Sequence, residues 1–287
     1  MSRHKRKKIT VTKVVVFILI LSVLWFVFSF SVTKSKFKND LDNLKATNRI
    51  DEEQVFEEED FENFPMPIQR YLEGCGYIGK NQMSYMCMSY HDVDFKQGKS
   101  GPNLTIDYTS YSFVAQPARI ALIDSSMFGI PFEGYDYYYD GIGGMKGVIA
   151  RYITLFNQTG PEMDKACLAT FLSECLFEPA VLLQDYITLE EVDDYHVKAT
   201  ITYGGQTASG LFEFNDNYEY ISFTTNDRAV ANSDGTMEYV PWTAACSEYR
   251  TADNGIKYPS RFQAIWNYPD EDFIYFDGEI SSINYRR

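Results

Sequence analysis

A carboxylate inside an apolar helix face is the strongest candidate for chemistry in this sequence. Thr159-Gly160-Pro161-Glu162 has the pattern of a capping box with proline at the first helical position. It predicts a helix from Pro161 to Phe177, disturbed at its end by Pro179. On a helical wheel Cys167, Leu168, Phe171, Leu172 and Cys175 share one side, with Met163 and Phe177 flanking it, and Glu174 falls within that stripe. A buried carboxylate needs a cation, hydrogen-bond donors or a proton. Arg70, Arg119, Arg151 and Arg228 are the partners on offer. Structurally, the residue would fasten helix to sheet by an ion pair, and this reading is preferred. Functionally, it would orient a ligand or carry a proton.

Other reactive groups give less. Only His4, His91 and His196 exist. His91 stands near Asp92 and Asp94, which a loop explains without a metal. No His-Glu-x-x-His, Cys-x-x-Cys or Gly-x-Ser-x-Gly occurs. Gly141-Ile142-Gly143-Gly144 lacks the Lys-Ser/Thr of a phosphate loop. No catalytic residue, metal or cofactor is expected, and the chain is read as a non-enzyme. The five cysteines, Cys75, Cys87, Cys167, Cys175 and Cys246, are read as buried thiols, although Cys75–Cys87 is a feasible pair. Tyr135, Tyr137 and Tyr139 would line a groove, or alternate between core and solvent along a strand. Glu174, those three tyrosines and Phe177 make the speculative ligand site.

These residues must be positioned outside a membrane. Val14 to Phe30 reads VVVFILILSVLWFVFSF, preceded by Arg3, Lys5, Arg6, Lys7, Lys8 and Lys13. The basic cluster should stay cytoplasmic, which puts the C-terminal part outside. Ser29-Phe30-Ser31 offers a signal peptidase a small-x-small triplet, but the length of the run favours a retained anchor. The expected organisation is a basic cytoplasmic tail (1–13), a transmembrane anchor (14–32), an acidic juxtamembrane stalk (33–62) and an extracytoplasmic domain (63–287). Beyond residue 38 stand 17 Lys+Arg against 40 Asp+Glu, a net −23. Such a surface repels nucleic acid.

Within the domain, a short helix is expected over Ile68 to Glu73. Strands are expected over Met83–Tyr90, Leu104–Ala115, Ala118–Asp124 and Lys146–Phe156, with a tyrosine-rich run from Gly134 to Gly144. Gly204-Gly205 turns a hairpin between Tyr195–Tyr203 and Gln206–Phe214, and Tyr220–Thr225 follows. Ile256–Tyr268 and Phe273–Asn284 close the chain. The fold class is α+β: an N-terminal transmembrane helix, then a large curved antiparallel sheet packed on one main helix.

Two segments resemble motifs of an uncharacterised bacterial family, a domain of unknown function whose members often carry N-terminal membrane segments. Phe64-Pro65-Met66-Pro67-Ile68-Gln69-Arg70-Tyr71-Leu72 resembles its L-P-x-P-V-x-R-Y-L. Phe171 to Leu183 resembles its Y-L-x-E-x-x-W-F-P-x-A-L-L, departing at Phe177, where Trp is usual, and at Glu178, where an aromatic is usual. Gly255-Ile256-Lys257-Tyr258-Pro259 followed by Trp266 also fits. The resemblance implies an order of elements and no activity. The expected function is a membrane-tethered binding module for a lipid or other apolar ligand. The alternative is an envelope protein-interaction or scaffold domain, and a carboxylate-dependent enzyme ranks behind both. The expected location is the cell membrane, single-pass, with a cytoplasmic N-terminus.

Overall fold

A computed structural model describes residues 3–28, 30–49, 54–99, 101–231 and 236–286. Three helices come first: α1 (Arg3–Phe28), α2 (Val32–Thr47) and α3 (Met66–Gly74). Six strands follow: β1 (Tyr85–Lys96), β2 (Asn103–Phe113), β3 (Ala118–Met127), β4 (Ile130–Tyr139), β5 (Ile142–Ile149) and β6 (Ile153–Thr159). Then comes α4 (Pro161–Glu174), continued by 3-10 turns at Cys175–Phe177 and Pro179–Val181. The chain ends with β7 (Ile187–Asp193), β8 (His196–Tyr203), β9 (Gln206–Phe214), β10 (Tyr220–Thr225), β11 (Ala229–Ala231), β12 (Met237–Tyr239), β13 (Trp242–Thr251), β14 (Lys257–Asn267) and β15 (Asp272–Arg286).

Thirteen strands join one antiparallel sheet, ordered β6-β5-β4-β3-β2-β1-β15-β14-β13-β10-β9-β8-β7, while β11 and β12 pair separately. The order explains why α4 is buried on all sides. Hairpins carry the chain from β1, at the centre, outward to β6 at one edge. α4 then crosses the sheet to β7 at the other edge, and the later strands return until β15 pairs with β1, Tyr85 opposite Arg286. The helix therefore touches β4, β5 and β6 as well as β8 and β9. Every residue from Ala166 to Glu174 is buried. Its N-cap is Gly160 and makes no side-chain capping bond, so the expected capping box is replaced by proline at the first turn and acidic Glu162 and Asp164 there. The turn after β4 meets the turn after β8. A Cβ on Gly141 or Gly204 would run into the other's Cα, and both residues have positive φ.

Two expectations are corrected. Residues 146–156 do not form one strand. Ala150 (φ 54°) and Arg151 (φ 67°) turn the chain between β5 and β6, and neither residue is a usual left-handed turn former. Nor do the described parts of the segment 33–62, residues 33–49 and 54–62, stand off as a stalk. Ser31 caps α2 by accepting the Lys34 N–H, and α2 lies on the sheet face opposite α4. Its Phe37 and Leu41 are buried with Phe113, Ala118, Ile120 and Tyr135. Phe56 and Phe61 are buried in the main core. These apolar side chains outweigh the like charge around them.

Among the described residues, no helix is long and apolar enough to cross a membrane. Side chains on α1 are described from Val11 to Val23, and all of them are exposed. The remainder of the expected anchor's apolar side chains, from Leu24 to Ser29, lies outside the described residues.

Candidate functional site

Arg119 on β3 and Asp136 on β4 point into the interior, where α4 brings Glu174. Arg119 Nε donates to Glu174 Oε2 (2.8 Å) and Nη2 to Glu174 Oε1 (2.9 Å). Nη1 donates to Asp136 Oδ2 (2.8 Å), and Nη2 also reaches Tyr108 Oη (2.6 Å). Arg119 is 4% exposed and Glu174 5%. Burial works against the arginine's charge, but the Glu174 and Asp136 carboxylates overcome it and hold its pKa well above the usual value. Burial likewise raises the Tyr108 hydroxyl. Both Glu174 oxygens face a guanidinium fork, the geometry of a fastener rather than of a proton donor. Of the four candidate partners, the structure selects Arg119. Arg70 pairs at the surface with Glu73, and Arg151 lies 3.9 Å from Glu133. Arg228 sits over the rings of Trp242 (4.4 Å) and Trp266 (5.3 Å) and donates to Tyr275 Oη.

Glu178 was not among the candidate site residues, yet it is the more unusual acid. It follows α4 between two 3-10 turns, fully enclosed, and neither oxygen has a hydrogen-bond partner of good geometry among the described residues. Burial pushes its carboxyl well above the usual range and the Glu174 carboxylate adds to this; the Met86 backbone amide opposes them. The enclosure therefore favours the neutral form of this carboxyl. Its sequence surroundings carried a signal: Glu178 is the one charged residue in the run Cys175 to Leu183.

Tyr135, Tyr137 and Tyr139 lie on the opposite face of β4 from Asp136 and Tyr138, and α2 covers them. The rings of Tyr135 and Tyr137 stack at 5.2 Å. Tyr135 Oη donates to Asp40 Oδ2 (2.6 Å), which also accepts from Lys36 Nζ (2.8 Å). Phe37 meets Tyr135 edge-on at 6.1 Å. The expected groove is filled by the chain's own helix. Phe177 is buried on the other side of the sheet against Tyr220 (5.7 Å) and Phe262 (6.5 Å). The speculative ligand site thus divides: Glu174 and Phe177 inside, the tyrosines outside.

A cleft of about 390 Å³ lies at the C-terminal end of α2, lined by Asp40, Asn43, Leu44, Asn48, Gln116, Tyr139 and Asp140 among others. Asn48 Oδ1 accepts the Gln116 N–H (2.7 Å) and ties the helix end to the β2–β3 turn. All five cysteines are free. Burial pushes the Cys75 thiol up to about 12, which makes it a poor nucleophile.

These features define an α+β domain of one large antiparallel sheet with a helix crossing its face. The chain belongs to the family described as "Family of unknown function (DUF6544)", matched over residues 54–278. No curated protein matches it. Among solved structures it is similar to a domain from Vibrio parahaemolyticus described as an outer membrane lipoprotein-sorting protein. That likeness has a TM-score of 0.40 at 10% identity, over 70% of this chain and 85% of that one. A DUF1329 family protein from Desulfovibrio piger is similar with a TM-score of 0.39 at 13% identity, over 76% and 90%. Both are too distant to say what this chain binds.

Proposed function

We propose that this chain is a single-pass membrane protein whose α+β domain serves as a binding module on the outer surface of the membrane. The observation that carries the tether is α1. From Val14 to Leu21 and at Val23 its apolar side chains are exposed around the whole helix, uncovered by any of the described residues. The uncharged run from Val14 to Phe30 would cover about 25 Å as a helix at ~1.5 Å per residue, against a hydrocarbon core of ~30 Å. The basic residues before it favour a cytoplasmic N-terminus.

A curved sheet is supported by the reach of α4. Twelve inter-strand spacings of ~4.8 Å would make a flat sheet about 58 Å wide, while a 14-residue helix at ~1.5 Å per residue is about 21 Å long. Between sheet and helix Phe177 packs on Tyr220 and Phe262, and Phe171 on Tyr186, within one contiguous buried apolar cluster. This favours binding at the surface, by an envelope protein or a polar group, over an apolar ligand carried inside. The cleft beside α2 falls within the size range of ligand sites and carries two carboxylates and several amides, a lining suited to a polar or cationic group.

Alkaline washing of membranes, followed by an impermeant protease added to intact cells and to lysed ones, tests the tether. The expected result is a chain that stays with the membrane and is cut from outside. Release by alkali, or protection until the cells are lysed, overturns the reading.

A further inference from the structure

Two hairpin tips beside the end of α1 expose large apolar side chains. The β3–β4 turn carries Phe128, 91% exposed, and Ile130. The β5–β6 turn and the start of edge strand β6 carry Tyr152, Ile153 and Leu155, all exposed. Contacts tie both tips to the point where α1 gives way to α2. Tyr152 Oη donates to the Phe30 carbonyl (3.2 Å), and Ser31 Oγ donates to Glu133 Oε2 on β4 (2.5 Å). The Ala150 N–H donates to the Pro131 carbonyl (2.8 Å), joining one turn to the strand that begins the other hairpin. Lys34 Nζ adds an ion pair to Asp124 on β3.

We propose that these tips are a membrane-contact surface that seats the domain in the outer leaflet of the bilayer that α1 crosses. The inference rests on the tether reading above. Three observations point to lipid as the occupant. Tyr152 of one tip is bonded to residue 30, and β4, which leads out of the other tip, is bonded to residue 31, so a bilayer holding α1 must lie beside them. In a chain with 40 Asp+Glu, the segments 125–132 and 147–156 contain no acid and one base, Arg151, so the repulsion expected between an acidic domain and a membrane is absent there. Finally, Phe128 (φ 54°) precedes Gly129 (φ 76°) in a turn whose first position favours Asn, Asp or Gly. A bulky aromatic there bears both left-handed strain and exposure to water. Burial among acyl chains and headgroups relieves the exposure, as interfacial aromatic residues do.

Fluorescence of the full chain in phosphatidylcholine vesicles with brominated acyl chains separates the two claims. Trp25 lies in the apolar run, whereas Trp242 and Trp266 are buried in the domain. If α1 is the anchor, the natural chain loses the Trp25 share of its emission in brominated vesicles. If the tips meet the bilayer, a W25F/F128W chain and a W25F/L155W chain also lose emission, and a W25F/V192W chain, with its reporter on β7 at the other edge of the sheet, does not. Loss in the natural chain with none in the 128 and 155 reporters leaves the anchor standing and overturns the contact surface. Equal loss at position 192 overturns it as well. No loss from Trp25 overturns both.

Discussion

Arg119 and Glu174 show how a buried charge is kept: four arginine hydrogen bonds reach two carboxylates and a tyrosine hydroxyl. Glu174 was legible because helical spacing places it in an apolar stripe. Its partner was not, because Arg119 is 55 positions away and the register of β3 against β4 alone decides that it faces inward. Glu178 has no such partner, and its raised pKa gives folding a pH dependence. Above the ordinary glutamate pKa of about 4.3, the unfolded chain loses this proton and the folded chain keeps it. Stability should therefore fall by about 1.4 kcal/mol per pH unit until the folded carboxyl itself ionises. Glu178→Gln removes that loss. Denaturant unfolding at pH 5 and pH 8 should show the variant's advantage growing with pH. An advantage that is the same at both values would mean that Glu178 is ionised in the fold.

At the scale of elements, turns with glycine were readable and turns without it were not. Gly204-Gly205 marked the β8–β9 hairpin, whereas Ala150-Arg151 hid the β5–β6 hairpin in what reads as one strand. β13 and β7 were missed among charged and polar residues. α2 was missed for a different reason. Phe37, Leu41 and Leu44 stand at helical spacing, a sufficient signal for a docked face, but the lysines and acids around them suggest a solvated arm. Leu41→Ala tests that docking. The lost packing should cost about 2–5 kcal/mol. It should appear as faster hydrogen exchange across residues 32–47, with β13 to β15 unchanged. Unchanged exchange in α2 would show that the helix is held by its polar contacts alone.

The whole molecule is organised by its two surfaces. One face of the sheet is filled by α4 and α3, and the other is clamped by α2, which begins at Val32, four positions along the chain from the end of α1 at Phe28. A chain built this way has little slack between bilayer and domain. The alternative, an extended arm over residues 33–62, would hold thirty residues at ~3.3 Å each and reach about 100 Å. Neutron reflectometry of the full chain in a supported bilayer measures that height directly. Protein density should begin at the headgroups, with no water layer between. A water-filled gap of some tens of Å beneath the domain would contradict it.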